Sequence, residues 1–237
     1  MLLARALNPR RPALAALLAL AAAGCAAAGA APAPPAGPPA PDPQPVAERL
    51  VRATTPSSPR QAAFSWELDE GGARVRGRGV VRFQAPDRLR LDLFGPRGET
   101  YLAAALVADS FRVPPAVAAR IALPSPALLW GALGVVRPPA GARLLGATAS
   151  TEASSVRYAT AQGEVEFGTA GERLRTVRRL VRSGPAETVA LTYAPAGTLQ
   201  RAEYRNLAEY RTLVLNFESI NDAAPFPEDT WSPGGAR

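Results

Sequence analysis

From Gln61 onward the chain alternates apolar and polar residues one at a time. Ala62, Phe64, Trp66 and Leu68 are interleaved with Ala63, Ser65, Glu67 and Asp69, and Gly71-Gly72 then supplies a turn. Val75, Gly77, Gly79, Val81 and Phe83 share the next face, with Arg74, Arg76, Arg78 and Arg82 on the other. Past Pro86-Asp87, Leu89, Leu91 and Leu93 alternate with Arg88, Arg90 and Asp92. Successive side chains of a strand point to opposite faces, so this pattern admits strands with one buried face. It also sets their register, because a one-residue slip would expose every apolar side chain. The expectation is that Phe64, Trp66, Leu68, Val81, Phe83, Leu89, Leu91 and Leu93 face a concave interior. Arg74, Arg76, Arg78, Arg82, Arg88 and Arg90 are expected to face solvent.

The rest of the domain follows the same rule with two interruptions. Residues 45–53 place Val46, Leu50 and Val51 near one helical face, which predicts a short N-terminal helix. Tyr101 to Ala108 is apolar on both faces, as a central strand is, and Phe111 to Val113 is a candidate short strand. Ala116 to Val136 is apolar and broken by Pro124 and Pro126. Within it, Ser125 is placed to N-cap a two-turn hydrophobic helix over 127–133 with Pro126 in its first turn. Strands return at 143–149, 155–161, 164–167, 173–181, 187–193, 199–204 and 207–217. Together they predict a mainly β (α+β) domain: a curved antiparallel sheet of about ten or eleven strands, forming an incomplete barrel with one or two helices against it.

Ahead of the domain lies an address. Arg5, Arg10 and Arg11 precede an apolar run from Ala13 to Ala23. That run has the length of a signal-peptide core and is shorter than the ~20 residues that span a bilayer. It ends in Leu20-Ala21-Ala22-Ala23-Gly24-Cys25, which resembles the lipobox of bacterial lipoproteins. The resemblance implies cleavage before Cys25 and a covalent lipid, palmitate among its acyl chains, on that residue. Ala22 stands where the usual leucine would be, and an ordinary secretory signal with an incidental cysteine is the alternative. Cys25 is the only cysteine, so an internal disulfide is excluded. Residues 26–45 are almost wholly Ala, Pro and Gly, with Asp42 their only charge, and predict an extended tether. The expected organisation is a signal peptide over 1–24, a lipidated cysteine and tether over 25–45, and one domain over 46–237. The residue after Cys25 is Ala26; in the lipoproteins this resembles, Asp there favours the inner membrane. The expected place is therefore the outer membrane, facing the periplasm.

Chemistry is scarce in the remainder. The formal charge is +7 with no histidine, which excludes a Ser-His-Asp triad and a His-metal site. Every basic residue is Arg, and no nucleic-acid motif accompanies the basic balance, so nucleic acid is not an expected partner. Glu164 and Glu166 share one strand face, as a carboxylate pair for acid–base work would; a solvated face opposite arginines explains them as well. The run Arg173, Arg175, Arg178, Arg179 and Arg182 is either a phosphate patch or a solvated strand. No enzyme activity, metal or cofactor is expected beyond the lipid on Cys25.

Three stretches carry a family resemblance. Arg88-Leu-Arg-Leu-Asp-Leu-Phe-Gly-Pro-Arg-Gly-Glu-Thr100 is similar to a strand, loop and strand of the LolB lipoprotein receptor. Ala127-Leu-Leu-Trp-Gly-Ala-Leu-Gly134 is similar to its lid helix, and residues 207–227 to the closing strand and Phe-Pro segment of the LolA/LolB-like superfamily. The resemblance implies an incomplete barrel with a helical lid over an apolar cavity, and a role in lipoprotein or lipid sorting. It places Pro96 and Arg97 in the transfer loop, with Arg97 where the receptor has a membrane-entering leucine. The cavity and lid would be formed by Phe64, Trp66, Val81, Phe83, Leu91, Leu128, Leu129, Trp130 and Leu133. The glycines at 77 and 79 either leave room for an acyl chain or curve the sheet around a solid core. The function expected is binding of an acyl chain or lipidated protein by a monomer anchored to the membrane. The alternative is an assembly lipoprotein with a filled core and no ligand.

Overall fold

A computed structural model describes residues 37–115, 123–182 and 184–233. Cys25, the segment before it, most of the tether, and residues 116–122 of the apolar middle lie outside the described residues. Helix α1 spans Gln44–Thr54 and helix α2 Pro126–Gly131. The first group of strands is β1 (Arg60–Glu70), β2 (Ala73–Gln84), β3 (Arg88–Phe94), β4 (Thr100–Val107) and β5 (Ser110–Arg112). The second is β6 (Arg143–Ala149), β7 (Ala153–Thr160), β8 (Gly163–Ala170), β9 (Arg173–Val181), β10 (Gly184–Tyr193), β11 (Leu199–Asn206) and β12 (Arg211–Asp222).

All twelve strands described form one antiparallel sheet in the order β5-β4-β3-β2-β1-β12-β11-β10-β9-β8-β7-β6. The first and last long strands therefore meet at its centre, with Phe64 opposite Phe217 and Glu70 opposite Arg211. The sheet is open, its edges being β5 and β6. The chain passes from one edge to the other through the segment that carries α2. Residues just before α1 tie themselves to the β6 edge, where the Ala40 amide donates to the Ala147 carbonyl at 2.8 Å and the Ala149 amide to the Pro38 carbonyl. The turns at 71–72, 95–99 and 207–210 share one end of the sheet, called the upper end here; those at 85–87, 171–172 and 194–198 share the lower end.

The alternation sets the faces. Phe64, Trp66, Val81, Phe83, Leu89, Leu91 and Leu93 are all buried in one core cluster with Leu50, Leu128 and Trp130, and Leu68 packs against it half-buried. Arg74, Arg76 and Arg78 are exposed. Arg82, Arg88 and Arg90 are only half-exposed, and Asp92 beside them is buried at 6%. Solvent is displaced there by the C-terminal segment, which ends in a 3-10 turn over Glu228–Trp231 against β3 and β4. Arg90 donates to the Trp-preceding Thr230 carbonyl at 3.0 Å and Arg112 to the Trp231 carbonyl at 3.2 Å. Beneath this strap Arg82 and Arg90 both pair with Asp92 at 2.9 Å, which balances the buried carboxylate.

The start of β12 and the capping of α2 differ from expectation. β12 begins at Arg211, not Leu207, because the Asn206 side chain accepts from the amides of Ala208 and Glu209 and closes a turn. Ser125 does stand at the N-cap of α2, yet its hydroxyl makes no capping bond and is buried without a partner among the described residues.

Candidate functional site: an apolar cavity beneath helix α2

Helix α2 lies inside the curve of the sheet, against β9 and β10. Its backbone comes close there: a Cβ on Gly131 would stand 2.5 Å from Cγ2 of Val177. The helix ends in a tight turn, with the Gly134 amide bonded to the Gly131 carbonyl and Gly134 itself at φ 79°, where glycine is favoured. Thr54 at the end of α1 accepts from the Val136 amide and fixes the exit of this turn.

Between α2 and the opposite wall of the sheet remains an apolar cavity of about 110 Å³. Phe64, Trp66, Val81 and Leu91 line it from β1–β3, Leu213 and Leu215 from β12, and Leu128, Leu129 and Leu133 from α2 and its turn. Phe83 and Trp130 do not line it. They pack edge to face behind it at 6.2 Å, with the Arg137 guanidinium 5.9 Å over the indole of Trp130. An engineered apolar cavity of ~150 Å³ admits a benzene ring, so this one is too small for a full acyl chain unless side chains move.

The glycines of β2 do not create the space. A methyl on Gly79 would run into the ring of Phe64, and one on Gly77 into the Phe94 carbonyl oxygen. The Trp66 ring lies over Gly77, and its Nε1 donates to the carbonyls of Arg78 (3.0 Å) and Phe94 (3.2 Å). The aromatic residues of β1 thus cover the glycines of β2, and the cavity lies above those rings.

At the upper end the cavity meets Glu70, Tyr204 and Arg211. Burial works against the Arg211 charge, but its bond to Glu70 and the fields of Glu70 and Glu209 outweigh that and raise its pKa. Tyr204 donates to Glu187, which also accepts from Arg179. Burial, then the bond to Glu187, holds the Tyr204 hydroxyl protonated well above the usual phenol range. These polar groups at the mouth were not singled out in the sequence; the only signal was their position at the strand ends. The two acidic candidates are accounted for by cross-strand pairing, Glu164 with Arg157 at 3.6 Å and Glu166 with Arg178. Pro96 and Arg97 are exposed in the β3–β4 turn, where the Glu99 carboxylate accepts from the Arg97 amide at 2.9 Å. Among the described residues no group of acidic or cysteine side chains could hold a metal, and no helix is long and apolar enough to cross a membrane.

No protein-family model and no curated protein matches this sequence. Solved structures do. A LolA superfamily protein of Nitrosomonas europaea superposes with a TM-score of 0.54 at 12% identity, over 79% of this chain and 96% of that one. The chain has the LolA-superfamily fold. A DUF1329 family protein of Desulfovibrio piger superposes with a TM-score of 0.50 at 8% identity, over 81% of this chain and 98% of that one. An outer membrane lipoprotein-sorting protein domain of Vibrio parahaemolyticus matches at 10% identity and a TM-score of 0.49, over 79% and 95% of the two chains.

Proposed function

We propose that this chain is a lipid-anchored envelope protein that binds an acyl chain, free or on a lipidated protein, in the cavity beneath α2. On this reading Cys25 carries the lipid, the outer membrane is its site, and the binding serves lipid or lipoprotein sorting without catalysis. The observation that carries the reading is the apolar cavity, closed on one side by a two-turn apolar segment, inside a LolA-like sheet. The signal-like start and the small residues before Cys25 support the anchor. Opening requires movement of Leu129 in α2 and Leu133 in the turn that ends it, both half-buried.

Two measurements test it. Cys25→Ser should leave the precursor without lipid and move the protein to the soluble periplasmic fraction. A mutant that still fractionates with membranes, with no lipid on either form, would remove the anchor. On that soluble chain, palmitate below its aggregation threshold should shift tryptophan emission saturably, and Trp66→Phe should abolish the shift, since Trp66 lines the cavity while Trp130 and Trp231 do not. A flat response, together with no lipid in native mass spectra of protein purified from its own envelope, would favour a scaffold with a filled core.

A further inference from the structure

The interior of the sheet has a second opening. A cleft of about 430 Å³ lies at the lower end, lined by Arg60, Phe83, Leu133, Arg173, Tyr193 and Asp222 among others. Leu133 lines this cleft and the apolar cavity alike. The walls of the two spaces are continuous on either side of it. On β2 Val81 lines the cavity and Phe83 the cleft; on β12 Leu215 lines the cavity and Ile220 the cleft. On β11 the corresponding residues are Ala202 and Leu199. Leu133 therefore stands as a partition between them, on the turn that ends α2.

The two openings differ in charge. At the upper mouth Arg211 is paired with both Glu70 and Glu209, so carboxylates are in excess. In the lower cleft Arg60 is matched by Asp222 at 3.2 Å. Arg173 lies over Gly197, and Arg175, outside the lining, stacks 5.0 Å over the Tyr193 ring, so both guanidiniums bear on the Tyr193 hydroxyl, while Glu172 is the other carboxylate of the lining. The Tyr193 hydroxyl, pushed up to about 12 mainly by burial and so a donor at every physiological pH, closes on Gly134 in the same cleft.

We propose that the ligand is a single-chain anionic amphiphile, its carboxylate or phosphate head in the lower cleft against Arg173 and Tyr193, its chain passing Leu133 into the apolar cavity. This rests on the acyl-chain reading and adds to it a head-group class and a direction. An anionic head is disfavoured at the upper mouth by the surplus carboxylate and favoured below by charge-assisted hydrogen bonds. The chain needs more length than the cavity alone provides, and displacing the one side chain of Leu133 joins the two spaces.

The test uses the Cys25→Ser chain and four probes of one length, all below aggregation: dodecanoate, dodecyl phosphate, dodecanol and dodecyltrimethylammonium. By calorimetry, the two anionic probes should bind about tenfold or more tighter than dodecanol, and the cation weakest. The tighter of the two anions identifies the head. Arg173→Ala, at an exposed position, should erase the anionic preference and leave dodecanol affinity unchanged. Leu133→Ala should raise affinity for hexadecanoate more than for dodecanoate. Dodecanol binding with no head-group preference, an Arg173→Ala change equal for all probes, or an anionic preference that responds to Glu70→Gln but not to Arg173→Ala would overturn the proposal and leave the acyl-chain reading standing. Binding of no probe at all would remove that reading, and this proposal with it.

Discussion

The concave wall meets its helices in two ways. Over β6, β7 and β9, α1 inserts Ala47 and Leu50, both buried, and an open cleft between Val51, Leu144 and Tyr158 is confined to its side. Against β9, Gly131 brings the α2 backbone to within van der Waals contact of Val177. On the facing wall of β1–β3 and β12 the same helix presents Leu128, Leu129 and Leu133, which stop short of Phe64, Trp66 and Leu91 and leave the cavity. Small residues let backbones close and fill a core, while long side chains meeting across a curved sheet fill it incompletely. One half of the interior is thus committed to stability, and the other holds space that only side-chain movement can enlarge.

The sharpest way to break this comparison is to disturb the glycine strand that supports the cavity wall. Gly77→Ala should destabilise the protein by about 3 kcal/mol or more, because its methyl meets the Phe94 carbonyl oxygen, backbone that cannot give. Gly79→Ala should cost less, since the Phe64 ring edge it meets can turn. Urea denaturation midpoints at constant m-value measure both. Equal costs would mean that the rings, not the β2–β3 backbone approach, set the wall.

A second pair of substitutions separates stability from ligand space. Leu50→Ala empties a fully buried site under α1 and should cost about 2–4 kcal/mol while palmitate affinity stays unchanged. Leu129→Ala removes a half-buried cavity side chain and should cost under about 1 kcal/mol while altering that affinity. The comparison fails if Leu50→Ala changes binding or Leu129→Ala does not.

The β-sheet was legible residue by residue because a period of two leaves no other solution for Phe64 to Leu93 once turns punctuate the chain. The interior faces of β1–β3 follow from that, and the short helix around Leu128 was legible from Ser125 and Pro126 at the head of an apolar run. What periodicity could not carry was anything set by segments distant in sequence. Asp92 reads as one more outward polar residue, yet the strap ending at Trp231 buries it. The glycines at 77 and 79 read as missing volume, yet Trp66 and Phe64 from the neighbouring strand occupy it. Trp130 reads as part of a cavity lid, while the structure seats it on Phe83 behind the cavity. Each depends on which strand lies alongside, and the pairing of β1 with both β2 and β12 spans the whole domain.

The smallest expected effect concerns a glycine on the α1 side of the sheet. Gly146 lies in the edge strand β6, beside the irregular register at Leu144. A Cβ there meets nothing within 4 Å, and its φ is outside the left-handed region. Glycine therefore brings no packing or conformational benefit at this position, while it widens the range of conformations open to the unfolded chain. Gly146→Ala should raise stability by about 0.4–1 kcal/mol through the unfolded state alone. The change should appear as a higher urea midpoint with palmitate binding untouched. The opposite sign to Gly77→Ala, for the same added methyl, would place the constraint on β2 in its close backbone approach and not in a general need for glycine in this sheet. A loss of stability at Gly146 would instead point to an unrecognised close contact along the β6 edge, where Pro38 and Ala40 already bond to it.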